Sequence, residues 1–276
     1  MSKAKGFAIV FLLALYFPSF IYQERFYQDV SQKLAILPSA SFLRATAGYL
    51  RQLVAEVAFV QSGVFLGGVK PGVPPDTYAK ELAHNYLQIT TLYPQFQDPY
   101  FYTQSYVAYA GQEYSAIAND ILDNGRKAYP ENLIFPFFQA FNYFYHLGEP
   151  LQAAEIFRQA SMLPKAPPMF AHLAAILPAE GGALEAAIIS LTALIKSTDD
   201  PIVKRRYEEE VEAFRSALGV QRAVTAYFAE QHHHPNTLEE LIPKYIEQLP
   251  DIGPRFELTW NPPVVGVRPF RPKPVK

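Results

Sequence analysis

Three consecutive histidines, His232, His233 and His234, are the densest cluster of metal-ligating side chains in the chain. Neighbouring residues of a helix point about 100° apart, so three in a row cannot face one ion from one helix. No acid or histidine follows them at the i+4 spacing of a helical zinc motif. A polar helix terminus, where a cationic imidazole meets the negative end of the dipole, accounts for them. His84, His146 and His172 stand alone and are expected in core or groove positions. The carboxylates Glu208, Glu209, Glu210, Glu239 and Glu240 are placed on helix exteriors, whereas acid–base work needs a buried pair with split protonation. Gly67-Gly68 and Gly181-Gly182 lack the Gly-Lys-Ser/Thr of a phosphate loop, and no Gly-x-Ser-x-Gly elbow occurs. The chain has no cysteine, which removes a thiolate nucleophile, a disulfide framework and Cys-ligated zinc. The expectation is therefore no catalytic residue, no metal, no cofactor and no small-molecule substrate.

The elements around these residues say more than the residues themselves. Charged residues are 18% of the 276 and hydrophobic ones 50%, with 18 Tyr and 21 Phe, a composition suited to extensive helix packing. A net charge of −2 gives no basis for nucleic-acid binding. Lys3 and Lys5 precede an apolar run from Gly6 to Tyr22, broken only by Pro18 and Ser19. About 17 helical residues span roughly 25 Å, enough for a thinned bilayer. No pair of small residues marks a signal-peptide cut in this stretch. Residues 1–23 are thus expected to be an uncleaved single-pass anchor in the inner (plasma) membrane. Two lysines ahead of the span favour a cytoplasmic N-terminus and a periplasmic or otherwise extracytoplasmic body.

A period follows. Ala83, Ala118, Ala153 and Ala187 sit at nearly equal spacing inside amphipathic segments, and Leu87, Leu122, Phe157 and Leu191 come four positions later. Pro94, Pro130, Pro164 and Pro201 then close each segment. A small residue lets two helices approach, a bulky one a turn later fills the groove, and proline ends the second helix. Residues 134–165 show Phe137, Ala140 and Phe144, then Gly148, then Ala153, Phe157, Ala160 and Pro164. The preceding unit repeats this with Tyr102, Tyr106, Tyr109, Ala118, Leu122, Gly125 and Pro130. This pattern resembles the tetratricopeptide repeat. In the last unit Ala171, Ala175, Gly182, Ala187, Leu191 and Leu194 fit, but Pro178 is expected to end its first helix early. The first unit departs further, with a long first helix over about 41–66 and a long Gly/Pro loop at 67–75.

The expected fold is all-α. Residues 40–200 form a solenoid of antiparallel helix pairs similar to tetratricopeptide repeats, followed by a capping helix at 201–219. Residues 220–261 form a small helical module in which Phe256-Glu257-Leu258-Thr259-Trp260 is either a short strand or an extended segment. Residues 262–276, proline-rich, basic and without acids, are expected to be a disordered or extended tail. Pro235, Leu238, Leu241, Tyr245, Leu249, Pro250 and Asp251 follow an order that resembles the soluble module of type II secretion pseudopilins, although Asp251-Ile252-Gly253-Pro254 departs from the family's Asp-Pro pair.

The tetratricopeptide resemblance implies a non-catalytic scaffold that binds a protein or peptide in the groove lined by first helices. On this chain those positions are Tyr100, Thr103, Gln104, Phe135, Phe138, Asn142, Tyr145 and His146. Tyr, Asn and His supply flat apolar area together with hydrogen bonding, a mixture that interfaces favour. A component of a secretion, pilus or surface-polymer export machine is the alternative, and an enzyme is ranked behind both.

Overall fold

The computed structural model describes residues 14–21 and 34–269. Residues 14–21 are helical, with Leu15, Tyr16, Phe17, Phe20 and Ile21 exposed. The rest of the expected anchor lies outside the described residues. Among the described residues no helix is long and apolar enough to cross a membrane. The chain is mostly helical, with one small two-stranded sheet, and divides into two compact units, Met1–Pro130 and Glu131–Lys276.

In the first unit, helix α1 (Ala40–Ala47) is capped by Ser39, whose hydroxyl accepts from the Phe42 N–H. A 3₁₀ turn, Gly48–Leu50, leads into α2 (Arg51–Gly68). The single long helix expected over 41–66 is therefore two, broken at Gly48 with φ 51° and ψ −117°. Helix α3 (Asp76–Leu92) packs against both. Helix α4 (Asp98–Tyr102) continues through a π turn, Thr103–Val107, and a 3₁₀ turn, Ala108–Ala110, before α5 (Gln112–Ala128) returns onto α3. The core takes Leu82, Ala83, Tyr86 and Ile89 from α3 and Ala118, Ile121 and Leu122 from α5, the three-and-four spacing of a helical face. Phe59 of α2 lies edge-on to Phe96 at 5.0 Å and to Tyr102 at 4.9 Å between ring centroids.

In the second unit, α6 (Ile134–Phe141) also continues through a π turn, Asn142–Leu147. Then come α7 (Pro150–Ser161), α8 (Pro168–Glu180), α9 (Leu184–Ser197) and α10 (Pro201–Gln231), each packed on its predecessor. Short connections make neighbours antiparallel. Helix α8 runs two residues past Pro178, because a proline in the last turn forfeits a single backbone hydrogen bond. Ala83, Ala118, Ala153 and Ala187, on α3, α5, α7 and α9, are all buried. Of the bulky residues a turn later, Leu122, Phe157 and Leu191 are buried and Leu87 is partly so.

Two expectations are corrected. The boundary placed at residues 219 and 220 falls inside α10, which is continuous over 31 residues. Val211, Phe214, Ala217, Val220 and Val224 keep the helical spacing across Gly219, and all are buried. Their packing outweighs the roughly 1 kcal/mol that a mid-helix glycine costs. The stretch after Pro262 is not a structureless tail over its described part. Strand β1 (Phe256–Asn261) pairs antiparallel with β2 (Val264–Pro269) in the register Phe256↔Pro269 to Asn261↔Val264. Pro262 and Pro263 make the turn and Pro269 ends the strand, so the prolines sit where no ladder donor is needed. Residues 270–276 lie outside the described residues.

Candidate functional site

Five of the eight residues assigned to a binding groove belong to the two π turns: Thr103 and Gln104 in the first, Asn142, Tyr145 and His146 in the second. A π turn adds a residue to the helical repeat and re-aims the side chains around it, and such turns recur at functional positions. Both lie at the end of the first helix of a pair.

Burial divides the eight. Tyr100, Thr103, Gln104, Phe135 and Asn142 are buried and serve as packing positions, a correction to their placement on an open groove. Tyr100 donates its hydroxyl to the Pro94 carbonyl at 2.9 Å, and the Thr103 hydroxyl donates to the Pro99 carbonyl at 2.7 Å. Phe138 and His146 are half-buried, and Tyr145 is exposed. Desolvation pushes the His146 imidazole below its usual pKa, which favours the neutral ring.

What the structure brings together is an aromatic stripe on the second unit. Phe137, Phe141 and Tyr145 recur every four residues along α6 and its π turn. Their rings stack in sequence, Phe137 on Phe141 at 6.5 Å and Phe141 on Tyr145 at 5.3 Å. Phe137 also stacks on Phe170 of α8 at 6.3 Å with the planes 11° apart. At that end the stripe opens into a cleft of about 490 Å³ floored by Leu133, Ile134, Phe137 and Phe170, with Pro164 and Pro167 as one wall and Glu131 and Lys165 at the rim. Aromatic faces beside prolines, with one charge of each sign among the lining residues, suit apolar side chains of a peptide.

No family model, curated protein or solved structure matches the chain. Function has to be argued from the chain's own geometry.

Glu210 is buried, not on a helix exterior as expected. Its carboxylate takes His172 of α8 at 2.7 Å, with Arg206 at 3.8 Å, while the His172 ring stacks on Tyr207 at 4.9 Å. A second cleft, about 290 Å³, lies between α10 and residues 251–256, where Arg255 is paired with Glu209. Glu155 is held down to about 2 by hydrogen bonds from Arg158 and then Gln159, on open surface. The three histidines diverge: His232 ends α10 in a left-handed conformation, His233 meets Tyr227 edge-on, and His234 stacks on Phe228 at 4.4 Å.

The sequence reading missed Asn85, whose signal is an amide on the apolar face of α3. It accepts from the Leu37 N–H at 2.9 Å and donates to the Ala35 carbonyl at 2.7 Å. Gln88 accepts from the Ala40 N–H at 2.7 Å. Together they clip the extended segment ahead of α1 onto α3, which fixes where the chain coming from residue 34 joins the helices.

Proposed function

We propose that the chain is a non-catalytic, membrane-anchored scaffold of tetratricopeptide type that holds a protein partner against the first-helix side of its repeats. One observation supports this: four alanines in phase along the sequence are all buried, on four helices that each follow another helical segment. Such pairs bury their apolar faces by association with neighbours and leave a repeated surface for partners. The aromatic stripe of Phe137, Phe141 and Tyr145, beside Phe138 and His146, is the partner-facing part, with one exposed tyrosine and adjoining half-buried rings. Residues 1–23 tether it to the inner membrane, with the body outside the cytoplasm.

The test is retention of partners by tagged full-length chain purified from membranes in detergent. Phe138→Ala combined with Tyr145→Ala is expected to lose a protein that the parent chain retains, at unchanged helicity. Loss of the folded signal in this pair instead assigns both residues to the core and removes the surface.

A second reading, a component of a secretion, pilus or surface-polymer export machine, is favoured by the C-terminal order. Helix α10 is followed by Pro235, the turn Leu238–Leu241, then Leu249-Pro250-Asp251 and a hairpin whose β2 packs against α10. Co-purification with the other components of such a machine from native membranes distinguishes it from a free-standing scaffold.

A further inference from the structure

Strand β2 ends at Pro269, and a chain of contacts ties that point to the aromatic cleft of the second unit. Pro269 pairs with Phe256, whose ring lies edge-on to Phe214 of α10 at 5.7 Å. The preceding Arg255 pairs with Glu209, and the next residue of α10, Glu210, takes His172 of α8 at 2.7 Å. Phe170, one step back along α8, is part of the cleft floor, and Pro167 is part of its wall. The strand also runs toward that end of α8. A Cβ on Gly182 meets Val264, whereas one on Gly266 meets the carbonyls of Glu180 and Ala179, further back along the helix. From His172 to Pro167 the helix rises about 8 Å, and neighbouring helices lie about 8–10 Å apart. Residues 270–276, which lie outside the described residues, cover roughly 22 Å at the 3.1 Å per residue of an extended proline-rich chain. The cleft is within their length.

Their chemistry matches it. Phe270, Pro272, Pro274 and Val275 are apolar, and Arg271, Lys273 and Lys276 are basic. The cleft offers the rings of Phe137 and Phe170 beside Pro164 and Pro167, the kind of surface on which proline-rich segments dock. Proline excludes helix at its own position and restrains the residue before it, so such a segment loses little entropy when it lies on aromatic rings. The cleft's two charges, Glu131 and Lys165, nearly cancel, so apolar contact and reach decide the occupant. We propose that residues 270–276 dock into this cleft of their own chain. Phe137 belongs to both the cleft and the stripe, so the docked segment borders the surface assigned to a partner and competes with any partner side chain that enters the cleft. The docking itself requires no partner, and it stands whether or not the stripe binds one.

The absence of cysteine makes a position-specific test simple. In full-length chain held in detergent micelles, Val275→Cys places one thiol on the segment, and Glu131→Cys places a second, exposed, at the rim of the cleft. Glu212→Cys in place of Glu131→Cys puts the second thiol in the other cleft, between α10 and residues 251–256. With a short bis-maleimide the Glu131 pair is expected to become linked mainly within single chains, located by peptide mass mapping, and the Glu212 pair to remain mainly unlinked. Pro272→Ser with Pro274→Ser, outside the packed helices, is expected to lower the yield of that link about fivefold. Equal linking of the two pairs overturns the docking, as does a link that forms mainly between chains. A yield that is indifferent to the two prolines overturns it as well.

Discussion

Tyr86 is fully buried in α3, and among the described residues its hydroxyl has no hydrogen-bond partner. Burial pushes the phenol far above its usual pKa, with Tyr102 and Tyr106 adding to the shift. A buried donor left unpaired carries a desolvation cost that phenylalanine avoids. Tyr86→Phe is expected to stabilise the fold by about 1 kcal/mol, read as a higher denaturant midpoint; a lower midpoint contradicts it. His146 gives a pH signature. Its folded pKa lies below the usual 6.5, so the unfolded chain binds the extra proton first. Its contribution to stability is complete above pH 6.5 and is lost as pH falls through the lowered folded value. His146→Gln is expected to flatten the fall in denaturant midpoint between neutral and mildly acidic pH, and an unchanged slope rejects the assignment. At this scale the sequence was least legible. Periodicity says that Tyr100, Phe135 or Glu210 faces something, but what covers it depends on a helix far along the chain.

Elements were more legible wherever apolar spacing ran uninterrupted. Helices α3, α5 and α7 follow from three-and-four patterns closed by proline. The misreadings sit where one residue type was weighed above its neighbours. The charged run from Lys204 to Glu210 suggested a separate capping helix where α10 is continuous, and the prolines after residue 261 hid the β-branched run Val264-Val265-Gly266-Val267 that builds β2. The hairpin depends on close approach. A Cβ at Gly266 meets the Glu180 carbonyl at 2.7 Å, and one at Gly182 meets a Val264 methyl at 2.0 Å. The first obstacle is backbone and cannot swing aside. Gly266→Ala is expected to cost about 1–3 kcal/mol and to expose Trp260, seen as a red-shifted emission. Unchanged stability and emission contradict the close packing of β2 on α8. The π turns were not legible at all, since no residue type signals the extra residue they insert.

Across the whole molecule, the repeat is the feature on which the functional proposal stands. The spacing of its four alanines was visible in the sequence, and all four are buried in the structure. The site was half visible: the positions on α6 and its π turn were named, but not that Phe137 and Phe141 carry the stripe while Asn142 and Phe135 are buried. The anchor and the partner are matters of proposal, whereas the shared use of the four alanines is open to direct measurement. Replacing Ala83, Ala118, Ala153 and Ala187 one at a time by leucine, and following denaturant unfolding by circular dichroism, tests it. Each site is fully or almost fully buried, so each leucine is expected to destabilise the chain by about 1–3 kcal/mol, with similar costs at all four. A leucine accepted without cost at any of them means that position is not a close helix–helix contact, and contradicts a repeated framework.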